Sequence, residues 1–417
     1  MPNSDRRLSL DVYRGLIMII LVGGAFGLGK TSSEFLTESM LQPETHQWLK
    51  QVHFHTHHPD WVSFGWGDGA SFFRPSTPFS WWDMIQPAFM FMAGVSIPFA
   101  LKSRTRKGQT NGRIVCHAAW RSFVLIALGV FLYSVGDSRT HFDFMNVLAQ
   151  IGLGYFFVYM IALLPGKKYL VLGAASVLIL SAYSLIMHQM VPIETAASQN
   201  TDAVAEQAVD VYARDANAGT RFDRWLLNLF PRPSELGPYE RNNGGYQTLN
   251  FFPSMVTMIL GVMSGWMLLE QVSKGRTLAG LFLLGVLLLA LSIPVENLDG
   301  AMIKKIWTSS WTLFSGGLVV LILGGLVFLF DCLPLEKIGA PIAVVGMNSL
   351  AIYMMSQLFG SWLREQIATH LGWVAESFGL NDGSWLYYQY VAQYCVALAI
   401  LWAICYYMDR KDVYLRP

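Results

Sequence analysis

The residues HFHTHHPDW at 53–61 carry the side chains best suited to chemistry. They place four histidines beside Asp60 and Trp61. Imidazole is the side chain best matched to proton transfer near neutral pH. An apolar run follows from Ser80, and it opens with Asp83 and Gln86. Because an ionisable group at the mouth of a membrane span is costly, it indicates a functional site by default. We therefore expect a proton-transfer site where this loop meets the span.

His58 is the strongest candidate for a catalytic base. The alternation in HFHTH predicts an extended segment that places His53, His55 and His57 on one side and sends His58 to the other. A solvated histidine tract and a bound metal are the alternatives, because histidine is also the commonest metal ligand.

Asp83 follows Trp81 and Trp82, and tryptophans of this kind mark the membrane interface. Its carboxylate could orient an imidazole. Equally, it could be a helix N-terminal acid that the helix dipole favours. Gln86, with Pro87 after it, could bind a substrate or serve only to pack and kink the helix.

The composition is that of a membrane protein. Of 417 residues, 53% are hydrophobic and 14% charged, against roughly 25% charged in a typical soluble domain. The net charge of +1 creates no global field that would attract nucleic acid. The four cysteines fall in predicted spans or cytoplasmic loops, so no disulfide framework is implied. The first apolar run is predicted to be a retained span and not a signal peptide.

Apolar runs of about 20 residues predict an all-α bundle of about ten transmembrane helices in a single domain, 1–417. The predicted spans are 12–29, 80–101, 119–136, 143–164, 169–191, 248–270, 277–294, 309–330, 341–361 and 386–408.

The distribution of Lys and Arg predicts the orientation in a cytoplasmic (inner) membrane. The basic loops face the cytoplasm, which places both termini inside. The outer loops are then 30–79, 137–142, 192–247, 295–308 and 362–385. Long loops on one face commonly carry binding and catalysis, so the active site is expected on the periplasmic or exterior side. In the largest loop, 192–247, RFDRWLLNLF predicts an interfacial amphipathic helix, and the loop is interpreted as a cap.

Asp11 and Arg14 lie three residues apart at the inner end of the first span, so they share a helix face. They are either a structural lock or part of a cytoplasmic anion site. Together with Arg104 and Arg106 of the basic loop 102–113, Arg14 could face the phosphates of a nucleotide-bearing donor. Positive-inside anchoring explains the same loop without a ligand.

Further polar and aromatic candidates suit sugar hydroxyls or a charged group of a substrate. They are Trp61, Asn243, Gln247, Asn250, Lys304, Lys305, Trp307, Asn348 and Ser349. Buried Asn and Ser side chains often serve only as hydrogen bonds between helices. The two adjacent lysines lie on the less basic side, where anchoring does not explain them.

Motifs in order along nearly the whole chain resemble the heparan-alpha-glucosaminide N-acetyltransferase family, and more closely its bacterial relatives of the domain-of-unknown-function type. They are RLSLDVYRGL at 7–16, H-x-x-W at 58–61, WDMIQPAFMFMAGVSIPFAL at 82–101, NVLAQIGLGY at 146–155, YQTLNFFPSMVTMILGVMSG at 246–265, KKIWTSSWTLFSGG at 304–317 and GMNSLAIY at 346–353.

The resemblance implies a transmembrane acetyltransferase that takes the acetyl group of cytosolic acetyl-CoA, its co-substrate, to an amine on a sugar across the membrane. It implies that His58 is catalytic and that Asp83 matches the family's carboxylate. One position departs from the family: Gly23 stands where the family has an Asn thought to assist catalysis. Either another group such as Asn348 replaces that amide, or the acetyl-transfer activity is altered or lost. The loop between Trp61 and Trp81 is also longer than usual in the family.

On this interpretation, His58 accepts a proton from the amine, with Asp83 or Asp60 fixing its tautomer; an acetyl-histidine intermediate is the alternative route. The expected partners are an amino-sugar or glycan-derived acceptor, membrane lipids and a second copy of the chain, with no metal and no nucleic acid. Two rival functions are a non-catalytic sugar carrier and a metal site at His53, His55 and His57.

Overall fold

The computed structural model describes residues 7–37, 43–59, 61, 79–189, 211–270, 273–300, 302–379 and 385–415. Within this part the chain forms fourteen α-helices joined by turns and loops. They are α1 (Leu8–Val22), α2 (Leu28–Thr37), α3 (Pro43–Thr56), α4 (Ile85–Arg106), α5 (Asn111–Tyr133), α6 (Val147–Ala162), α7 (Lys168–Gln189), α8 (Ala218–Leu227), α9 (Phe251–Glu270), α10 (Lys274–Asp299), α11 (Ser309–Val327), α12 (Glu336–Met347), α13 (Ser349–Ser377) and α14 (Trp385–Arg410).

Seven helical segments in the described part are long and apolar enough to cross a membrane. They are Trp81–Arg106, Asn111–Tyr133, Lys168–Gln189, Thr248–Glu270, Lys274–Asp299, Ser309–Cys332 and Tyr388–Arg410. Helices α12 and α13 pass the same test together but are bent by 64°, which gives up to eight spans. The all-helical membrane fold is confirmed, whereas the count of about ten stays a prediction.

The first predicted span, 12–29, contains a break. Helix α1 has 15 residues and ends at Val22, and a 3-10 turn, Gly24–Gly27, precedes α2. Gly24 and Gly27 have φ of 50° and 70°, a left-handed conformation that glycine adopts without steric cost. Hydropathy alone did not reveal this turn, because its residues remain apolar.

One compact unit comprises Met1–Pro59, Phe79–Phe89 and Ile322–Pro417. Its central packing is the contact of α1 with α12, where glycines let the two backbones touch. A Cβ at Gly15 would lie 2.1 Å from the carbonyl oxygen of Ile342, and a Cβ at Gly346 would lie 1.8 Å from that of Asp11. Helix α14 packs against α13 and against the Gly24–Gly27 turn.

The other compact unit comprises Asp60–Pro78 and Met90–Leu321. Helix α6 packs against α5 and α9, and α7 also contacts α9. Part of α4 approaches α9 through glycines, since a Cβ at Gly94 would lie 1.9 Å from the carbonyl oxygen of Met258. In the large outer loop, RFDRWLLNLF forms much of α8, which confirms the predicted helix; Asn217 caps it by accepting a bond from the Thr220 N–H at 3.2 Å.

The extended segment predicted from HFHTH is wrong, because residues 53–56 form the last turn of α3. The rings of His53 and His57 stack with centroids 4.0 Å apart, as residues four apart do at a helical end. Alternation over so few residues suited both a strand and a helical end, and the preceding residues from Pro43 decided for the helix.

Candidate functional site

Ser80 joins the end of α3 to the start of the next span. Its hydroxyl oxygen lies 2.9 Å from the carbonyl oxygen of Phe54 and 2.7 Å from that of His57. It also accepts a hydrogen bond from the Trp82 N–H at 3.2 Å, which caps the 3-10 turn Trp81–Met84. The residue is fully buried, so this small side chain fixes where the turn meets α3.

The turn brings His58 and Asp83 together, although 25 positions separate them in sequence. Nδ1 of His58 lies 2.5 Å from Oδ1 of Asp83. The carboxylate is 1% exposed, whereas the imidazole is 36% exposed. Because an ionised carboxylate can only accept, Nδ1–H of a neutral His58 donates the hydrogen bond to Asp83, and the ring keeps its lone pair on Nε2. This is the arrangement of a general base with an orienting carboxylate.

Gln86 is buried within the same compact unit, while Asp60, the second predicted carboxylate, lies outside the described residues. His57 binds elsewhere: its Nδ1 lies 2.9 Å from the carbonyl oxygen of His53. Burial and the nearby His57 lower the pKa of His53 below its ordinary value. In the described ranges no group of three or more His, Cys, Asp or Glu side chains is arranged to hold a metal ion.

Asp11 and Arg14 of α1 form the ion pair that their spacing predicted. Arg14 Nη1 lies 3.4 Å from Oδ1 of the buried Asp11. Asp11 also supplies the carbonyl against which Gly346 packs. Two residues further along, Asn348 stands at the bend between α12 and α13 with no exposed surface. Ser349, the first residue of α13, is partly buried.

In the other compact unit, three distant motifs meet around Gly245. A Cβ at this residue, whose φ is 78°, would lie 2.8 Å from the Trp61 ring and 3.5 Å from Cδ of Lys305. The backbone carbonyl of Lys305 accepts a bond from Asn250 at 2.7 Å. Lys304 Nζ lies 3.0 Å from the Tyr246 hydroxyl. Both lysines are buried, so this cluster differs from a solvated charge pair.

Trp307 follows the lysines in a strained conformation. Its φ of 55° and ψ of 51° are left-handed, which is uncommon for a bulky residue and persists only where the surrounding packing enforces it. The side chain is fully buried. The Tyr183 hydroxyl donates to the preceding carbonyl, of Ile306, at 2.5 Å.

Two predicted sugar-binding residues belong to the internal bonding of the outer loop. Gln247 donates to Asn217 at 2.7 Å and to Thr220 at 3.1 Å. The side chain of Asn243 is exposed, and its backbone carbonyl accepts from Arg214 at 2.9 Å.

Sequence reasoning missed Arg121, which lies within the span formed by α5. Its Nη1 lies 3.1 Å from the Tyr155 hydroxyl, and its guanidinium sits 4.7 Å from the centre of that ring. Arg121 and Arg104 both lie near His117 of α5. Arg104 also bonds Gln109 at 2.8 Å, and Arg106 is exposed. An arginine inside an apolar run was the signal that could have identified this basic cluster.

Asp223 of α8 was also missed. Burial raises its pKa to about 7, although hydrogen bonds from Thr248 oppose the shift. Both carboxylate oxygens accept from the Thr248 N–H, at 3.1 and 3.2 Å. The nearby Asp143 acts in the same direction as burial, and its own pKa is raised by burial too. An acid inside an amphipathic helix gives no sequence signal of this environment.

Gly23, where the resembled family has Asn, is the C-cap of α1 and is buried. A Cβ there would lie 2.7 Å from the Ile19 carbonyl oxygen and 3.2 Å from Cδ2 of Leu398. The local packing is therefore adapted to glycine, and restoring the amide would require the backbone to shift.

Comparison with known proteins adds one finding. No protein-family model matches the chain. The chain is similar to human (Homo sapiens) heparan-alpha-glucosaminide N-acetyltransferase, with 24% identity over 373 residues, which is 80% of this chain and 53% of the relative. The chain thus spans about half the length of the curated relative that it matches.

Proposed function

Because this chain is a distant relative of the heparan-alpha-glucosaminide N-acetyltransferase family, we propose that it transfers an acetyl group across a membrane, from cytosolic acetyl-CoA to the amine of a sugar or glycan fragment on the outer side. The observation that carries the proposal is the His58–Asp83 pair, in which a buried carboxylate orients a partly exposed imidazole. A carrier that only binds its solute, without moving a proton, needs no such oriented base.

In the proposed reaction, Nε2 of His58 accepts a proton from the acceptor amine as its nitrogen attacks the thioester carbonyl. The C–N bond forms, the C–S bond breaks, and the imidazolium returns the proton to the leaving thiolate of CoA. Asp83 stabilises the imidazolium, and a base of this kind contributes about 10² to 10⁴-fold in rate. An acetyl-histidine route would use the same Nε2 as the nucleophile.

The donor's phosphates are proposed to bind the basic cluster on the cytoplasmic side. Arg104 and Arg121 both lie near His117, and guanidinium groups match phosphate oxygens in pairs of hydrogen bonds. Arg106 is proposed as a further contact of the nucleotide, and the role of the Asp11–Arg14 pair in donor binding stays a prediction from the sequence. This assignment places the donor's polar end at the basic loops, where the positive-inside rule orients them.

The acceptor is proposed to bind the cluster of Trp61, Asn250, Lys304 and Lys305, with Trp307 as a further contact and Asn243 and Gln247 supporting the loop. Gln86 and Ser349, which belong to the other compact unit, stay predictions from the sequence. An indole offers a flat apolar surface to a sugar ring, and buried lysine ammonium groups stabilise the oxyanion that develops on the thioester carbonyl. The lysines' burial supports this role, because a drier site strengthens charge interactions.

The test is acetyl transfer from labelled acetyl-CoA to a panel of amino sugars by the purified protein. We expect wild type to label a sugar and His58→Ala to lose at least about 10²-fold in rate. His57→Ala is the matched control, since it removes a neighbouring exposed imidazole that bonds only to its own helix end. Retained transfer in His58→Ala would reject the base. Solute uptake into sealed vesicles without acetylation would support a carrier instead.

A further inference from the structure

Asn348 has a buried polar side chain without hydrogen-bond partners in the described part of the chain. It has no exposed surface, and neither its amide nitrogen nor its amide oxygen has a hydrogen-bond partner within the described part of the chain. A buried amide without partners is strongly unfavourable, most of all in a membrane where water cannot replace them. A ligand that supplies the missing bonds is one physical reason to retain such a residue.

The backbone around Asn348 is also interrupted. Helix α12 ends at Met347 and α13 begins at Ser349, with a bend of 64° between them. Across the break the Asn348 N–H donates to the Val345 carbonyl at 3.1 Å and the Asn348 carbonyl accepts from the Ile352 N–H at 3.0 Å, so the backbone of this residue is bonded while its side chain is not. Non-helical backbone at membrane depth is tolerated where protein buries it or where it lines a cavity, and broken helices often mark substrate sites.

The position of Asn348 along its helix gives its depth. Helix α12 has 12 residues, so a rise of 1.5 Å per residue places Asn348 about 18 Å from the helix start. Taking Glu336 at one surface of a hydrocarbon core about 30 Å thick, we expect Asn348 near the middle. Beside it, Gly346 packs against the Asp11 carbonyl, so the bend adjoins α1.

The chemistry of the side chain defines the missing partner. An amide offers two N–H donors and one carbonyl acceptor, and another amide complements both functions at once. A bare cation fits less well, because it would use only the oxygen, and the nearest carboxylate of α1, Asp11, already pairs with Arg14.

We propose that Asn348 binds an amide of the pantetheine arm of acetyl-CoA. This rests on the proposed function, in which the nucleotide stays at the cytoplasmic face while the thioester reaches His58. The arm must then cross the middle of the membrane, and it carries two amides that require partners there. Asn348 is accordingly a donor-binding residue, which differs from the acceptor contact expected from sequence.

The first test separates this role from a structural one. Asn348→Leu replaces the amide with an apolar group of similar size. We expect the melting temperature of the ligand-free protein in detergent to rise, because the variant no longer buries an amide without hydrogen-bond partners. The affinity for acetyl-CoA should fall by about tenfold or more, as expected for the loss of buried hydrogen bonds. A structural asparagine would give a lower melting temperature and unchanged affinity.

The second test uses acetyl-CoA analogues in which one pantetheine amide is replaced by an ester, which removes the N–H and keeps the carbonyl. For one analogue, we expect binding to wild type to weaken by about tenfold and binding to Asn348→Leu to weaken no further, the non-additivity that marks a direct contact. Ser356→Ala, on the same helix and with its hydroxyl bonded to the Tyr353 carbonyl at 2.8 Å, is the control and should respond like wild type.

Should Asn348→Leu fail to fold, Asn348→Asp keeps the shape, removes the N–H donors and allows the same comparison. If each ester analogue loses as much affinity for the variant as for wild type, Asn348 does not contact a pantetheine amide. This result would leave the proposed acetyl transfer unaffected. If wild type binds no acetyl-CoA at all, the proposed function fails, and this result is distinct from a failure of the Asn348 contact alone.

Discussion

At the scale of single residues, the site depends on the difference in exposure between two partners. Asp83 is almost fully buried and the His58 side chain is partly exposed, so the carboxylate is held in place by its surroundings while part of the imidazole remains accessible. The bond between them selects the tautomer. Removing the charge of Asp83 therefore tests the orientation of the base without removing the base.

Asp83→Asn should reduce the rate of acetyl transfer by about 10² to 10⁴-fold, because a neutral amide neither selects the tautomer as strongly nor stabilises the imidazolium. The KM for acetyl-CoA should change little, since the carboxylate bonds His58 and not the donor. Steady-state kinetics beside Ser32→Ala, a buried polar change at a hydroxyl that donates to the Gly29 carbonyl, provides the control. A variant with wild-type kcat would show that Asp83 is only structural.

Asp223 predicts how stability depends on pH. Its pKa is raised to about 7 in the native protein from about 3.8, so between these values the folded chain holds a proton that the unfolded chain has released. Stability contributed by this group is complete below the lower value and is lost as pH rises through the window. The melting temperature of wild type should fall on raising the pH from about 4 to about 7.

Asp223→Asn should flatten that fall, because an amide does not ionise and its oxygen can still accept from the Thr248 N–H. Melting curves of both proteins across the pH series give the measurement. The difference between them isolates Asp223 from Asp143, whose raised pKa acts in both proteins. Parallel curves would show that Asp223 is already ionised at low pH.

At the scale of elements, close glycine contacts position the helices that carry site residues. The α1–α12 contact places the Asp11–Arg14 pair beside the bend that bears Asn348, and it leaves no space for a side chain at Gly15 or Gly346. Because the atoms in contact are backbone carbonyls, rotamer changes cannot relieve a clash there.

Gly346→Ala should destabilise the protein by about 1–3 kcal/mol or more through overpacking. Gly173→Ala is the matched control, since this glycine also lies within a helix, α7, but has no atom within 4 Å of an added Cβ; alanine should be neutral or slightly stabilising there. Thermal unfolding in detergent compares the two variants. Equal stability would mean that α1 and α12 are further apart than described.

At the scale of the whole molecule, the protein is an integral membrane protein, and seven helical segments in its described part are long and apolar enough to cross a membrane. The proposed reaction takes a cytosolic donor and an outer acceptor, so its direction depends on the orientation that the basic loops predict. Orientation is therefore a functional property of the entire chain.

Labelling with a membrane-impermeant maleimide tests that orientation. In a variant with the four native cysteines replaced, Ser234→Cys should react in intact cells, because the loop after α8 is predicted to lie outside. Lys107→Cys, in the basic loop after α4, should react only after permeabilisation. Both residues are exposed, so accessibility differs only through the membrane. The reverse pattern would invert the proposed direction of transfer.

The sequence by itself determined the membrane class, the positions of most apolar helices and the choice of His58 and Asp83. These are local properties, since a span needs only enough apolar length and imidazole only its intrinsic proton affinity. Helix α8 was likewise predicted from the amphipathic pattern of RFDRWLLNLF.

Only the tertiary structure decided which of these residues meet. Ser80 brings Asp83 to His58, Gly245 lets Trp61 approach Lys305, and the bend at Asn348 leaves a buried amide without partners. The helical form of 53–56 and the turn after Val22 were also decided at this level. The physical reason is that pairing, burial and close backbone approach depend on segments far apart in sequence, whereas hydropathy and side-chain type are properties of each segment alone.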